Sequence, residues 1–412
     1  MKVLIYGINY SPELTGIGKY SGEMGSWLAG RGHQVKVITA PPYYPDWRVA
    51  SGYSSVWFKT EYIDGVKVMR CPLYVPRKPS TLKRLIHLAS FALTSGIRLV
   101  SQLLWRPDVV VCVVPTQFCL PAVIGFSWLC RAKRVVHVQD YELDAMFGLG
   151  MAGDSKLKSL GFSVESHLLK GFDRVSTISQ SMMAKAVEKG VDTRRLWFFP
   201  NWSETKQFSR VDIADIDALR LKLGVPADAK VVLYSGNMGE KQGLELVIEA
   251  AEALSDRASI FFVMVGRGAG RDRLEQLSGE LNLQNIVFSD LLPMDELPAL
   301  LSIADSHLVV QKRGVADAVL PSKLTNILAV GGNAVITADP DTELGLLCDL
   351  YPGIAQLVEP ESKEALVSGI LATMEMPNPN MIASKYAEEH IDSQKVLLEF
   401  EKKLQILSQK MA

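Results

Sequence analysis

Cysteine is scarce in this chain and its cysteines form no pattern. Five occur in 412 residues, at 71, 112, 119, 130 and 348, without a CxxC pair. An odd, unpatterned set excludes a disulfide framework and a cysteine-rich zinc site. Cys112 and Cys119 lie inside apolar runs and read as buried free thiols, which points to a reducing, cytoplasmic compartment. The six histidines are scattered without ligand spacing, so no metal is expected. Neither sign of charge is in excess: 44 Lys and Arg face 45 Asp and Glu, a net charge of −1. That balance argues against a nucleic-acid partner. The N-terminal residues lack a cleavage pattern, because Lys2 is followed at once by the strand-like VLIYG. The charge-free run 109–130 opens as VVVCVV and is cut by Pro115 and Pro121, so no membrane span is expected there.

What is present is a repeated α/β pattern. VLIYGI (3–8), a Gly/Pro loop, a helix through Met24 and Leu28, and VKVIT (35–39) make one turn of a doubly wound sheet. Further apolar runs lie at 109–114, 134–139 and 174–179. A second set follows at 231–236, 260–266, 285–290, 306–311 and 333–338, with helical patterns at 243–255, 271–280 and 296–304. Near-continuous Val, Ile and Phe runs fit parallel strands covered on both faces. Two domains are therefore expected, 1–200 and 201–385, with 386–412 a C-terminal helix that packs back on the first domain or stands in solvent. Residues 1–200 carry 25 basic against 14 acidic residues, and 201–412 carry 19 against 31. Segment 77–134 holds nine Lys or Arg and a single acid, Asp108, among Leu, Ile, Ala and Phe. A helix over 80–104 is read as lying on an anionic membrane surface, with Lys83, Arg84 and Arg98 snorkelling. A core helix with incidental basic ends is the alternative.

Three turns in the second half, two of them glycine-bearing, carry the chemistry. Gly236-Asn237-Met-Gly-Glu-Lys241, Gly266-Arg-Gly268-Ala-Gly-Arg271 and Pro321-Ser322-Lys323-Leu-Thr-Asn326 each follow a strand or open a helix. Together they read as a diphosphate pocket, with Lys241 and Lys323 supplying charge. In the first half, Gly16 and Gly18 permit close backbone approach of a ligand. That loop is not GxGxxG, and Thr39 and Ala40 end the second strand where a dinucleotide site needs an acid.

The stretches SGNMGEKQGLE, VGRGAGR and LPSKLTNILAVGGNAVIT resemble the C-terminal domain of retaining sugar-nucleotide glycosyltransferases of the GT-B fold. YGINYSPELTGIGKY, VHVQDYELDAM, VSTIS and FPNWSE resemble a branch that builds the bacterial exopolysaccharide colanic acid. The resemblance implies two Rossmann-like domains facing across a cleft, the donor held by the C-terminal one and the acceptor by the N-terminal one. It implies fucose as the transferred sugar, GDP-fucose as donor, no metal, and a polyprenyl-diphosphate-linked acceptor at the cytoplasmic face of the membrane. Carried over by position, Lys241 meets the donor diphosphate beside Gly236, Gly266 and Gly268, with Ser322 and Lys323 nearby. Asn237 replaces a basic residue of many relatives. Ala318 and Asn326 stand where many relatives have E-x7-E, leaving Asn326 to bind the donor ribose without charge. Gln139-Asp140 stands where relatives have His-Asp. That makes Asp140, with Lys241, a catalytic candidate, and Gln139 and His137 acceptor-side candidates. Two alternatives stay open: a non-hydrolysing sugar-nucleotide epimerase, and an inactive subunit that only binds sugar nucleotide.

Overall fold

A computed structural model describes residues 1–13, 16–77, 80–141, 155–208, 211–293, 295–313 and 321–409. For Lys241 and Ser322 only the backbone is described. The chain divides into two compact units, Met1–Pro200 with Leu397–Ala412, and Asn201–Val396.

In the first unit the described elements run β1 (Lys2–Tyr6), α1 (Gly16–Gly30), β2 (Gln34–Thr39), β3 (Lys59–Ile63), β4 (Val66–Arg70), α2 (Thr81–Val100) and β5 (Val109–Val114). They continue with α3 (Leu120–Cys130), β6 (Lys133–Val138), α4 (Ser155–Lys170), β7 (Arg174–Thr177), α5 (Gln180–Glu188) and β8 (Leu196–Phe198). The sheet order is β3-β4-β2-β1-β5-β6-β7-β8. All neighbours are parallel except β3, which runs antiparallel to β4 at the edge. Val3 pairs with Val35 on one side and Val109 on the other. The β5 run VVVCVV is buried at every position, as a strand covered on both faces requires.

The edge hairpin is absent from the sequence reading, although its turn carries a signal. Asp64 and Gly65 both take positive φ, the Asp-Gly arrangement of a tight hairpin. The strand KTEYI escapes attention because it is partly exposed and polar. The charge-free run 109–130 divides between β5 and α3, and among the described residues no helix is long and apolar enough to cross a membrane.

The second unit holds α6 (Thr205–Phe208), α7 (Ile213–Lys222), β9 (Lys230–Ser235), α8 (Glu245–Ala253), β10 (Ile260–Val265), α9 (Arg271–Glu280), β11 (Ile286–Ser289) and α10 (Leu297–Ser302). After these come β12 (Ser306–Val309), α11 (Ser322–Ala329), β13 (Ala334–Thr337), α12 (Glu343–Leu350), β14 (Gln356–Val358), α13 (Lys363–Met374) and α14 (Met381–Tyr386). The sheet is wholly parallel in the order β11-β10-β9-β12-β13-β14. Chain order reverses between β9 and β12, and ligands of open α/β sheets bind beyond the strand C-termini at such a point.

The expected single helix over 386–410 is broken. After α14 the chain turns through Ala387–Ile391, and α15 (Ser393–Gln409) starts afresh. Asp392 is extended, and its carboxylate accepts from Lys395 N and Thr205 Oγ1, which caps the new helix. Most of α15 belongs to the first unit. There the buried Glu401 receives Arg31 Nε at 3.1 Å, contacts His33 Nε2 at 2.9 Å and accepts from Trp27 Nε1.

Candidate functional site

The switch point of the second unit opens into a cavity of about 220 Å³. Half of its lining residues are leucine, at 233, 291, 292, 297, 300, 301 and 308. The polar groups that reach it are Ser235, Gly236, His307, Lys323 and Asn326. An apolar wall with a few convergent polar groups is the ordinary form of a small-molecule site. A larger hollow of about 560 Å³ lies between α7 and α10, but it is lined by Asp215, Asp295 and Glu296, which repel a diphosphate.

Lys323 is the notable charge. It sits in the first turn of α11, half-buried, with its Nζ 4.3 Å from the centroid of the Tyr234 ring. Among the described residues no carboxylate pairs with it. Burial pushes its pKa down to about 7, because an ammonium held away from water and from acids loses the stabilisation of its charge. An anion delivered to this position restores that stabilisation. Three helical positions on, Asn326 uses its Oδ1 to accept from Ser203 Oγ at 2.8 Å. Its Nδ2 is then the group left to donate, which suits a ribose hydroxyl oxygen.

The neighbouring arginines are committed elsewhere. Arg267 bonds Asp290 at 3.2 Å, and Arg271 bonds Asp290 at 2.5 Å and Glu275 at 2.7 Å. Arg313 is held by Asp339 and Glu359. Lys312, just past β12, has no acid partner among the described residues and lies where a Cβ on Gly243 would meet its Cγ at 2.9 Å.

The glycines divide by role. A Cβ on Gly266 would fall 1.9 Å from the carbonyl oxygen of Gly236, and one on Gly268 would fall 2.4 Å from that of Met238. These two glycines let the loops after β9 and β10 lie against each other, an interlock tied by Met238 N to Arg267 O and Gly270 N to Met238 O. Gly236 instead faces the cavity, and a Cβ there would come within 3.9 Å of Lys323 Cδ. Asn237 is exposed at the same turn, with its carbonyl accepting from Tyr234 OH at 2.6 Å. Lys241 lies in the short turn Glu240–Gln242; its side chain, like those of Ser322, Asp317 and Ala318, lies outside the description.

The first-unit candidates are spread out. Gly16 opens α1 in the left-handed region, φ 60°. Gly18 is buried against Glu13, whose Oε2 a Cβ would approach to 2.4 Å. Glu13 accepts from Tyr43 N and Tyr44 N at 3.0 Å each and from Asn9 Nδ2 at 2.9 Å. Burial nonetheless holds its pKa above the usual carboxylate range, against those donors and the field of Arg70. His137 is buried in the sheet, with Nδ1 2.9 Å from Ser176 Oγ and Nε2 2.9 Å from Gln139 Nε2. Burial pushes its pKa down to about 3. It is therefore neutral, accepting from Gln139 and donating to Ser176, and its ring packs on Phe199 at 4.9 Å. Asp140 stands exposed just past β6.

Sequence reasoning passed over Tyr234, His307 and Ser203. His307 is buried and lines the same cavity as Lys323, burial pushes its pKa down to about 3, and its Nε2 has no partner among the described residues. Tyr234 had a signal, a hydroxyl-bearing residue one from the end of a strand. Ser203 had none, since its partner is 123 residues away.

Residues 15–202 match a glycosyl transferase 4-like domain, and residues 215–390 match the glycosyl transferases group 1 domain. Over 403 residues the chain is 57% identical to the Escherichia coli K12 protein WcaI, by its name a colanic acid biosynthesis glycosyl transferase, covering 97% of this chain and 98% of that one. Among solved structures it superposes on sucrose-phosphate synthase from Thermosynechococcus elongatus with a TM-score of 0.71 at 16% identity, over 98% of both chains. It also superposes on Anabaena HepE in complex with UDP-glucose, with a TM-score of 0.66 at 16% identity over 98% of this chain and 99% of that one. With two Rossmann-like sheets, a leucine-walled cavity with a few convergent polar groups at the switch point of the second, and a match along nearly its whole length, the chain belongs to the GT-B glycosyltransferases that join a 4-like domain to a group 1 domain.

Proposed function

We propose that this glycosyltransferase moves fucose from GDP-fucose, with retention, to a polyprenyl-diphosphate-linked saccharide during assembly of a colanic-acid-like exopolysaccharide. The observation that carries the reading is Lys323, a half-buried cation with no acid partner among the described residues, at a helix N-terminus beside Gly236. A diphosphate supplies the missing negative charge. HepE was solved with UDP-glucose, which supports a nucleotide-sugar donor in this fold, and the name of the Escherichia coli relative supports the pathway.

In this reading the bond from the anomeric carbon to the donor diphosphate breaks as the acceptor hydroxyl approaches from the same face. The new glycosidic bond forms there, and the acceptor proton passes to the departing phosphate oxygen. Negative charge grows on the diphosphate during the step. Lys323, Lys241 and the α11 N-terminus then bind the transition state more tightly than the ground state. No carboxylate nucleophile is required, which fits Asn326 and Ala318 at the places of the two family acids. Asp140, on the acceptor-binding unit, orients the incoming hydroxyl.

The acceptor lipid directs the enzyme to an anionic membrane. Helix α2 buries His87, Leu88, Phe91, Ser95 and Leu99, and turns Leu82, Ile86, Leu93, Ile97 and Val100 to solvent. Just beyond it Leu104 is 97% exposed, and Trp128 of α3 is 75% exposed. With the basic residues of 77–134 this apolar stripe supports binding in the headgroup layer.

The test is turnover with a panel of nucleotide sugars, a short polyprenyl-diphosphate sugar and EDTA, with the product anomer read by NMR. The expected product is a fucoside that keeps the β-anomeric configuration of the GDP-fucose donor, made in the presence of EDTA. Turnover of UDP-sugars alone refutes the donor. An inverted anomer refutes retention, and loss of activity with EDTA, restored by Mg²⁺ or Mn²⁺, refutes metal-free transfer.

A further inference from the structure

We propose that the loop after β2 and the first two turns of α2 form a saccharide subsite built on Tyr44, Trp47, Arg84 and His87. Naming its occupant the acceptor glycan rests on the transferase reading above.

The loop is Pro41-Pro42-Tyr43-Tyr44-Pro45-Asp46-Trp47, three aromatics in five residues. It lies beyond the C-terminal end of β2, on the sheet edge where open α/β folds bind ligands. Its backbone is pinned, because Tyr43 N and Tyr44 N both donate to the buried Glu13. Trp47 sits at φ 50°, a conformation that strains a bulky residue and persists where surroundings over-determine it, as at ligand clamps. Those surroundings are visible. The Trp47 ring lies 5.7 Å from Tyr43 and 5.3 Å from His87, and the Arg84 guanidinium stands 5.5 Å over it.

A purely structural aromatic cluster buries its rings and pairs its polar atoms. In this one Tyr43 and His87 are buried, but the other groups are not. Tyr44 is exposed, Trp47 is partly exposed, and Arg84 is exposed with no acid partner among the described residues. His87 is buried, and its Nδ1 lies 2.6 Å from the carbonyl oxygen of Tyr74. Burial, opposed by that contact and aided by Arg84, lowers its pKa and keeps it neutral. Nδ1 therefore carries the proton, and Nε2 is an enclosed lone pair without a partner among the described residues. A partly exposed indole and an exposed phenol beside a multidentate donor with no acid partner among the described residues suit a pyranose. Its C–H face meets the Trp47 and Tyr44 rings, and its hydroxyls meet the Arg84 guanidinium, while the buried His87 supports the Trp47 ring from behind. The same two turns of α2 expose Leu82 and Ile86, so a lipid attached to that saccharide finds apolar surface within one helical turn.

The probes are octyl β-glucoside, β-galactoside and α-fucoside, titrated by tryptophan fluorescence without nucleotide. The expected result is a saturable change for at least one glycoside. Tyr44→Ala, Arg84→Gln and Trp47→Ala should each weaken it about tenfold or more, while Trp47→Phe retains it. GDP affinity should be unchanged throughout. If Trp47→Ala fails to fold, the two exposed positions decide. Wild-type binding in both variants overturns the subsite, as does no response to any glycoside, or a Trp47-dependent response to GDP alone. Failure of GDP to bind the wild-type protein strikes the donor reading and leaves this result standing.

Discussion

Each unit carries a shielded charge next to the loop regions at its sheet edge, and the two are treated in opposite ways. In the first unit Glu13 is ringed by three N–H donors with Arg70 nearby. In the second, Lys323 faces an aromatic ring and a leucine-walled cavity, with no acid partner among the described residues. The same doubly wound architecture surrounds both. A shielded charge whose partners all come from its own chain holds loops together, and here Glu13 ties the turn after β1 to the turn after β2. One whose partners are missing marks a place where a ligand completes the set.

Replacing each charge is the direct way to break this contrast. Lys323→Met should lower kcat/KM about 100-fold, the usual loss for one preorganised donor, with little change in melting temperature. Melting by several degrees with activity intact would make Lys323 a structural residue like Glu13. Glu13→Ala should behave in reverse. It leaves Tyr43 N, Tyr44 N and Asn9 Nδ2 unpaired and should cost about 2 kcal/mol of stability, read by urea unfolding, while GDP affinity is unchanged. Full stability in that variant would remove the contrast from the other side.

The surface stripe sharpens the comparison, since α2 lies in the basic half. Leu93→Ser, Ile97→Ser and Leu104→Ser together should weaken sedimentation with phosphatidylglycerol vesicles about tenfold. Turnover of a detergent-soluble short-chain acceptor should be retained. Undiminished sedimentation would mean that the stripe is not the lipid face. The smallest effect concerns protons. With a pKa near 7, free Lys323 is mostly neutral at pH 8. Binding a diphosphate favours its charged form, so GDP binding at pH 8 should take up a fraction of a proton, and affinity should fall as pH rises above 7. Calorimetry in buffers of differing ionisation enthalpy measures the uptake. Proton release on binding would contradict the assignment.

Much of the fold was legible. The strands at 109–114 and 260–265 stand where unbroken Val, Ile and Phe runs predict them, because a strand covered on both faces needs apolar residues at every position. The edge hairpin at 59–70 was not, because partly exposed polar strands carry no such run. The break at Asp392 was missed because helical periodicity continues through it, whereas its cap depends partly on Thr205, 187 residues away. At the site, the glycine turns were legible as turns. Their division of labour was not: Gly266 and Gly268 accommodate the neighbouring loop while Gly236 faces the cavity.

By itself the sequence determined two parallel sheets, their phosphate-compatible turns and a basic, apolar segment in the first half. These are properties of neighbours along the chain: periodicity, small residues at turns, local charge. Only the tertiary structure decided which cations are spent. Arg267 and Arg271 look as available as Lys323 in one dimension, yet both meet Asp290, 23 and 19 residues downstream. Likewise Leu88 and Leu93 are the same residue in the same helix, and packing buries one and exposes the other. Pairing and burial are set by distances through space, and those distances arise only when the sheets have formed.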